Sequence, residues 1–181
     1  MRSLILFFFA AFALLPHAGV AQNIAAQIVQ TLKTEQTGPM VRSMVQTGQM
    51  QMTPYQPLPG QLDLPKALLP VEFEEGTALL TAGGMTILRE LALALNEAEI
   101  TDSTFQIGSH LAPNVALATS AQPISQRRAQ AIVEHLVAFY SVDQSRLIPM
   151  GYGQTSPIFG PNPTGMQHER IEVINVSQLI Q

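Results

Sequence analysis

Apolar residues recur at regular intervals from Pro70 onward, and their spacing predicts two helices. The first helix begins at Thr81, whose hydroxyl can cap a helix N-terminus, and runs to about Asn96. The second helix is capped by Ser125 and carries an apolar stripe at the spacing i, i+3, i+4, i+7, i+8 and i+11. The stripe consists of Ala129, Ile132, Val133, Leu136, Val137 and Tyr140.

Short segments with the character of strands alternate with these helices. Residues 71–73, 104–108, 146–150 and 170–176 are the predicted strands, and residues 109–122 and 157–165 are predicted loops. The order is strand, helix, strand, helix, strand, strand. This order predicts an α/β (α+β) two-layer sandwich, with a mixed sheet and the two main helices on one face.

The first residues have the pattern of a secretory signal peptide. A short basic start at Met1-Arg2-Ser3 precedes an apolar run, and small residues end at Ala21, so cleavage is expected before Gln22. The alternative is an uncleaved membrane anchor. The apolar run is short for a membrane span of about 20 residues, which favours a cleaved signal over residues 1–21.

Residues 22–69 differ from the rest of the chain because they are rich in Gln, Met and Pro. A short helix is predicted over residues 23–32. Frequent prolines interrupt residues 34–70, which predicts an extended linker or a loosely ordered arm before a domain at residues 70–177. Docking of the arm onto the domain is the alternative, since it contains Met40, Met44, Met50 and Met52.

Composition excludes several classes of function. The chain has no cysteine, so disulfides, thiolate metal sites, cysteine nucleophiles and a lipid-modified cysteine are not expected. Acidic residues outnumber basic ones between residues 71 and 176, which argues against a nucleic-acid surface. The spacing of His110, His135 and His168 does not suit a metal site, and no serine lies in a nucleophile motif. We therefore expect no metal, no cofactor and no enzymatic activity.

Five short motifs follow one another in a fixed order between residues 73 and 172. Together they resemble the OmpA-like C-terminal domain family, over about residues 71–176. The motifs are Phe73 with Gly76-Thr77-Ala78-Leu79, then Gly108-Ser109-His110-Leu111, then Ile124-Ser125-Gln126-Arg127-Arg128-Ala129, then Arg146-Leu147 with Gly151-Tyr152-Gly153, and finally His168-Glu169-Arg170-Ile171-Glu172.

The resemblance implies a ligand, the diaminopimelate of the peptidoglycan stem peptide. In the family, an Asp that follows Gly-His-Thr takes the ammonium of this group and an Arg of the second helix takes its carboxylate. Arg128 matches that Arg, in the expected first turn of a helix whose N-terminus favours anions. Leu111 stands at the position of the Asp, and no Asp lies between residues 108 and 128. The implied site residues are Arg128, Ser125, Gly108, His110, Leu111 and Asn114. Asn114, His110 or Gln122 could offer a neutral acceptor in place of the missing Asp.

Two functions remain open. The first is a binding module in the periplasm, associated with the outer membrane, that holds peptidoglycan non-covalently and has no transmembrane segment in the mature chain. Residues 22–69 would then reach a protein partner in the envelope. The second is a degenerate domain that acts as a scaffold without binding peptidoglycan. Arg128 binds a ligand carboxylate in the first case and only pairs with Glu169 or Glu172 in the second. In the first case, Glu169 could turn inward and replace the missing acid of the ligand site. His110 lines the site or lies on a solvent-facing loop.

Overall fold

A computed structural model describes residues 19–33, 40–44, 50–54, 64–112, 118–155 and 169–180. No helix of these residues is long and apolar enough to cross a membrane. Most of the predicted signal peptide, the loop at residues 157–165 and Asn114 fall outside the described residues. The elements are α1 (Gly19–Leu32), β1 (Met40–Met44), β2 (Met50–Pro54), β3 (Lys66–Leu69), α2 (Ala82–Leu95), β4 (Phe105–His110), α3 (Ala118–Tyr140), β5 (Leu147–Gly153) and β6 (Arg170–Asn175), with short 3-10 turns at Gln144–Arg146 and Ser177–Leu179.

The strands form one mixed sheet in the order β2-β1-β3-β6-β4-β5. Strand β6 is antiparallel to both of its neighbours, β3 and β4, whereas β4 and β5 run parallel. Side chains at alternating positions of the strands therefore point to opposite faces of the sheet. Ile107 and Val173 are paired across β4 and β6, and both are fully buried on the face that carries the helices.

The hydrophobic core lies between that face and three helices. Ile28 of α1, Leu91 of α2 and Ile132 of α3 belong to one buried cluster with the strand residues. The predicted fold class, a mixed sheet with helices on one face, is confirmed, and the short helix predicted over residues 23–32 is present as α1, which joins the two main helices. Each helix contributes an apolar stripe that is removed from water, which is the main favourable term in the stability of such a layer.

Helix α2 follows its sequence pattern closely. The Thr81 hydroxyl accepts a hydrogen bond from Gly84 N at 3.1 Å, as expected of an N-cap, and Asn96 is the C-cap. The guanidinium of Arg146 donates to the carbonyl oxygens of Leu95 and Ile100 at 3.0 and 2.8 Å. A cation is favoured there because the last carbonyls of a helix have no partners within the helix.

The segment expected to be a linker contributes to the fold instead. Ile28 and Leu32 of α1 are fully buried, and the Asn175 side chain donates to the Leu32 carbonyl at 2.9 Å. Strand β3, between Pro65 and Pro70, pairs with β6, so the sheet begins before the predicted boundary at residue 70. The predicted strand at residues 71–73 is wrong, because only Phe73 makes a bridge there, to Leu80.

The start of α3 also differs from the prediction. The helix begins at Ala118 and includes Pro123, so residues 118–122 are helical and Ser125 is not its N-cap. A proline in a helix removes one backbone hydrogen bond, so this part of α3 needs support from outside the helix. Contacts with β5 hold this part of the helix in place. Gln122 Nε2 donates to Gly151 O at 2.7 Å, and Ala121 is buried.

Polar side chains of α3 bind the outer edge of β5. Gln126 accepts from Gly151 N at 2.7 Å and donates to Pro149 O at 3.3 Å. The Ser125 hydroxyl accepts from Gly153 N at 2.8 Å. An edge strand normally presents unpaired backbone groups that can recruit another chain. Here side chains of α3 satisfy those groups, so Ser125 and Gln126 have a structural role that explains their place in the motif.

This arrangement requires glycine at position 151. A Cβ atom added at Gly151 would lie 2.4 Å from Gln126 N and 2.7 Å from Ser125 Oγ. The helix backbone is rigid, so a methyl group would force α3 away from β5 and break the edge hydrogen bonds.

We predict that Gly151→Ala destabilises the domain by about 3 kcal/mol or more, above the usual range for one extra methyl group because the clash is with backbone. Urea unfolding followed by circular dichroism measures the change. Met150→Ala is the matched control, since the Met150 side chain is 38% exposed, and it should cost less than about 1 kcal/mol. Equal effects of the two substitutions would contradict the close approach of α3 to β5.

Candidate functional site

Arg128 is buried on the face of α3 that lies over the end of the sheet. Its residue exposure is 1%, which is rare for an arginine and requires that its charge be satisfied inside the protein. Nε donates to the Thr77 carbonyl at 2.7 Å, and Nη1 donates to the Glu169 carboxylate. The guanidinium carbon lies 4.6 Å from the centre of the Phe73 ring, in cation–π contact. Arg128 is thus held from three sides.

Glu169 supplies the carboxylate that the sequence lacks at position 111. The last register pair of β4 and β6 is His110 with Arg170, so continuing the antiparallel register by one residue places Glu169 opposite Leu111. Both positions alternate to the helix-bearing face of the sheet, where Arg128 lies. The Glu169 side chain is 24% exposed and that of Arg128 only 2% exposed. Glu169 therefore forms the part of the ion pair nearest the solvent.

Of the two acidic partners that the sequence left open for Arg128, the structure selects Glu169. Glu172 is three residues further on and lies on the opposite face of the sheet, where its Oε1 accepts from Arg170 Nε and Nη2 at 2.9 and 2.7 Å. The expectation that Arg128 lies in the first turn of its helix is wrong. It lies about three turns from Ala118, too far for the positive end of the helix dipole to assist it.

The remaining predicted site residues are not brought to one place. Ser125 is fully buried and binds β5, and Leu111 is buried directly after β4. Gly108 and His110 lie on the other face of the sheet, where the His110 ring stacks on Tyr152 with ring centroids 4.6 Å apart. Both alternatives for His110, a residue of the Arg128 site and a solvent-facing loop residue, are therefore wrong, since it is a buried residue of β4.

His110 and Glu172 form a second polar cluster with Arg170 on the face without helices. His110 Nε2 lies 3.5 Å from Glu172 Oε2, and neither ring nitrogen has a hydrogen-bond partner within the described part of the chain. Burial lowers the pKa of His110 below 6.5, although the Glu172 carboxylate favours the charged form. Burial raises the pKa of Glu172, but contacts with His110, Arg170 and Lys66 outweigh it and hold the pKa at about 2.

Sequence reasoning missed the residues that hold Arg128 and α3 in place. Thr77 and Phe73 were assigned only to the opening motif, Gln126 only to the motif of the second helix, and Gln122 only to the neutral acceptors for a ligand. The strand parity of Glu169 and Glu172 was available as a signal, since residues three apart in a strand face opposite sides. Among the residues that the structure describes, no group of three or more His, Asp or Glu is arranged to hold a metal.

The mixed sheet, the helices on one face and the motif order together define an OmpA-like domain. Residues 72–171, more than half of the chain, match the model of the OmpA family, and the chain belongs to that family. No curated protein sequence matches it significantly.

Solved structures show the same fold at low sequence identity. The periplasmic domain of MotB, residues 64–256 of that protein, has a TM-score of 0.56 and 14% identity, over 92% of this chain and 88% of that chain. The periplasmic domain of Helicobacter pylori MotB, residues 90–256 of that protein, has a TM-score of 0.54 and 17% identity, over 63% of this chain and 75% of that chain. The OmpA-like domain of FopA1 from Francisella tularensis has a TM-score of 0.52 and 19% identity, over 60% of this chain and 71% of that chain.

The cluster on the face without helices predicts loss of stability in acid. Burial lowers the pKa of His110, so the folded state binds this proton only at a lower pH than the unfolded chain does. The unfolded chain is therefore favoured by protonation, and stability falls as pH drops below about 6.5. Glu172 stabilises the folded state fully above about pH 4.5, and this contribution is lost as pH falls towards 2.

Urea unfolding between pH 7 and pH 3 measures both effects. Glu172→Gln should lower stability at pH 7 by about 1 to 3 kcal/mol, the cost of removing the partner of a buried charge such as that of Arg170, and flatten the profile below pH 4.5. Glu134→Gln, at an exposed position of α3, is the control and should stay within about 0.5 kcal/mol of the wild type. If the stability of Glu172→Gln fell as steeply as that of the wild type below pH 4.5, the low pKa assigned to Glu172 would be refuted.

Proposed function

We propose that this protein is a non-catalytic protein of the periplasm whose OmpA-like domain associates with peptidoglycan non-covalently. The observation that carries the proposal is the Arg128–Glu169 pair, with Glu169 towards the solvent, at the end of the sheet of an OmpA-family domain. The side chain of diaminopimelate ends in an ammonium and a carboxylate. Recognition of such a group needs at least one opposite charge held at a fixed position.

Burial of Arg128 supports a fixed geometry at the site. A guanidinium bonded to Thr77 and Glu169 and stacked on Phe73 has few other orientations available. A charged group that is already ordered loses little entropy when a ligand binds, so more of the interaction appears as affinity. The carboxylate that the family places on β4 is provided in this chain by the residue before β6.

The N-terminal residues support export and placement in the envelope. The signal peptide pattern over residues 1–21 leads to the periplasm, and we place the domain near the outer membrane, where it reaches peptidoglycan. MotB is a protein whose periplasmic domain shares this fold. Since α1 and β3 are part of the folded domain, an envelope protein partner would contact the remainder of residues 22–69.

A scaffold that does not bind peptidoglycan is the second candidate. It is favoured by one observation, the nearly complete burial of Arg128 with its hydrogen bonds made inside the protein. In that case the ion pair would serve only to join α3 to the loop before β6.

We predict that the mature protein co-sediments with purified diaminopimelate-containing sacculi and that Arg128→Ala lowers the binding constant by at least about tenfold, because Glu169 loses its support. Arg127→Ala is the matched control, since Arg127 is the exposed neighbour with the same charge, and it should bind like the wild type. Arg128→Lys tests whether charge alone suffices.

Thermal unfolding of each variant separates loss of binding from loss of fold. If folded Arg128→Ala bound sacculi as tightly as the wild type, this site would have no role in binding. Failure of the folded wild type to bind sacculi would overturn the proposal and favour the scaffold.

A further inference from the structure

The site presents an acid, rather than a base, towards a ligand. Arg128 uses Nε on Thr77, Nη1 on Glu169 and its flat face on Phe73. Its side chain is 2% exposed, whereas that of Glu169 is 24% exposed. A ligand carboxylate could reach Arg128 only by displacing Glu169, which would leave a partly buried carboxylate without its partner. A ligand ammonium can approach Glu169 without breaking any of these contacts.

We propose that Glu169 is the residue that contacts the ligand and that it binds the free ammonium group of diaminopimelate, while Arg128 is a positioning residue behind it. This inference rests on the proposed function and assigns the roles within the site. The acid lies across the strand pair from the position that the family uses, at residue 169 before β6 instead of residue 111 after β4.

The register of the sheet brings the two positions to the same face. Residues directly opposite in an antiparallel pair have Cβ atoms about 5 Å apart and share a face. Continuing the register one residue beyond its last pair, His110 with Arg170, places Leu111 and Glu169 opposite each other. A glutamate side chain is one methylene longer than an aspartate, which helps its carboxylate cover the distance between the strands. Leu111 itself is buried, with 2% of its surface exposed.

The proposal gives the site a chemical preference. Binding should depend on the free amino group of the stem peptide and much less on its carboxylate. An ammonium next to Glu169 makes a charge-assisted hydrogen bond in a partly buried place, where salt screens it less than on an open surface. An amide in place of the amino group removes the positive charge and leaves Glu169 without a partner of opposite sign.

The first test uses the wild-type protein and chemically treated sacculi in co-sedimentation. Acetylation of the free amino groups should lower the binding constant by at least about tenfold, the effect of losing one charge-assisted bond. Amidation of the carboxylates should change it by less than about threefold. The reverse pattern, with loss on amidation and none on acetylation, would show that the ligand carboxylate displaces Glu169 from Arg128 and would overturn the proposal.

The second test changes the acid itself. Glu169→Gln keeps the size of the side chain and an oxygen for Arg128, and it should lose binding by at least about tenfold. Glu169→Asp keeps the negative charge and should retain more of the binding than Glu169→Gln. Arg127→Ala again serves as the control for a general effect of charge.

These outcomes separate the two proposals. If the wild type binds untreated sacculi and Glu169→Gln binds as well or more tightly, Glu169 competes with the ligand, and only the role given to it here fails. If the folded wild type does not bind untreated sacculi, the proposed function fails and this inference with it. The treated sacculi decide the matter even if a Glu169 variant does not fold, because they use the unchanged protein.

Discussion

Helix α3 lies against β5 at backbone contact distance, and this contact fixes the geometry of the rest of the domain. It is possible because Gly151 has no side chain, so that Gln126 N comes within 2.4 Å of where a Cβ would be. Gln126 and Ser125 can then make the hydrogen bonds that an adjacent strand would otherwise make with the edge of β5. The Ser-Gln pair and the glycines of Gly151-Tyr152-Gly153 are therefore two parts of one interface.

The same contact determines what happens at Arg128. Once α3 is fixed along β5, residue 128 lies over the end of the sheet, where its guanidinium is removed from water. A buried guanidinium is costly unless an opposite charge and hydrogen-bond acceptors reach it. Thr77, Phe73 and Glu169 meet this requirement from the opening segment and from the residue before β6. Replacement of the acid at position 111 by leucine is compatible with the fold because position 169 carries one.

Local patterns predicted the parts of this fold that depend on local interactions. Helix α2 was predicted with its cap, because Thr81 and the apolar stripe both act within the helix. The apolar stripe of α3 was also predicted. Its start was not, because Ser125 has the character of an N-cap and residues 118–122, predicted as part of a loop, are helical where α3 contacts β5. Strand β3 was missed because its four residues form a strand only through pairing with β6.

The site was predictable in its residues but not in their arrangement. Arg128 was identified from its motif, and Glu169 and Glu172 were both possible partners. The choice between them depends on the register of β4 and β6, which is set by the whole sheet and leaves Glu172 with Arg170 on the opposite face. His110 was grouped with Arg128 because the two motifs belong together in the family, although alternation along β4 turns its ring towards Tyr152.

The most direct test of the central claim, that Arg128 holds Glu169 while Glu169 meets the ligand, is a nuclear magnetic resonance titration with a soluble diaminopimelate-containing stem peptide. The resonances of the Arg128 Nε–H group and the Glu169 carboxyl carbon are followed together. We expect the Glu169 signal to shift on binding while the Arg128 Nε–H signal stays in place, because that group remains bonded to Thr77. A large shift or loss of the Arg128 signal, with Glu169 released towards the chemical shift of an exposed glutamate, would contradict it.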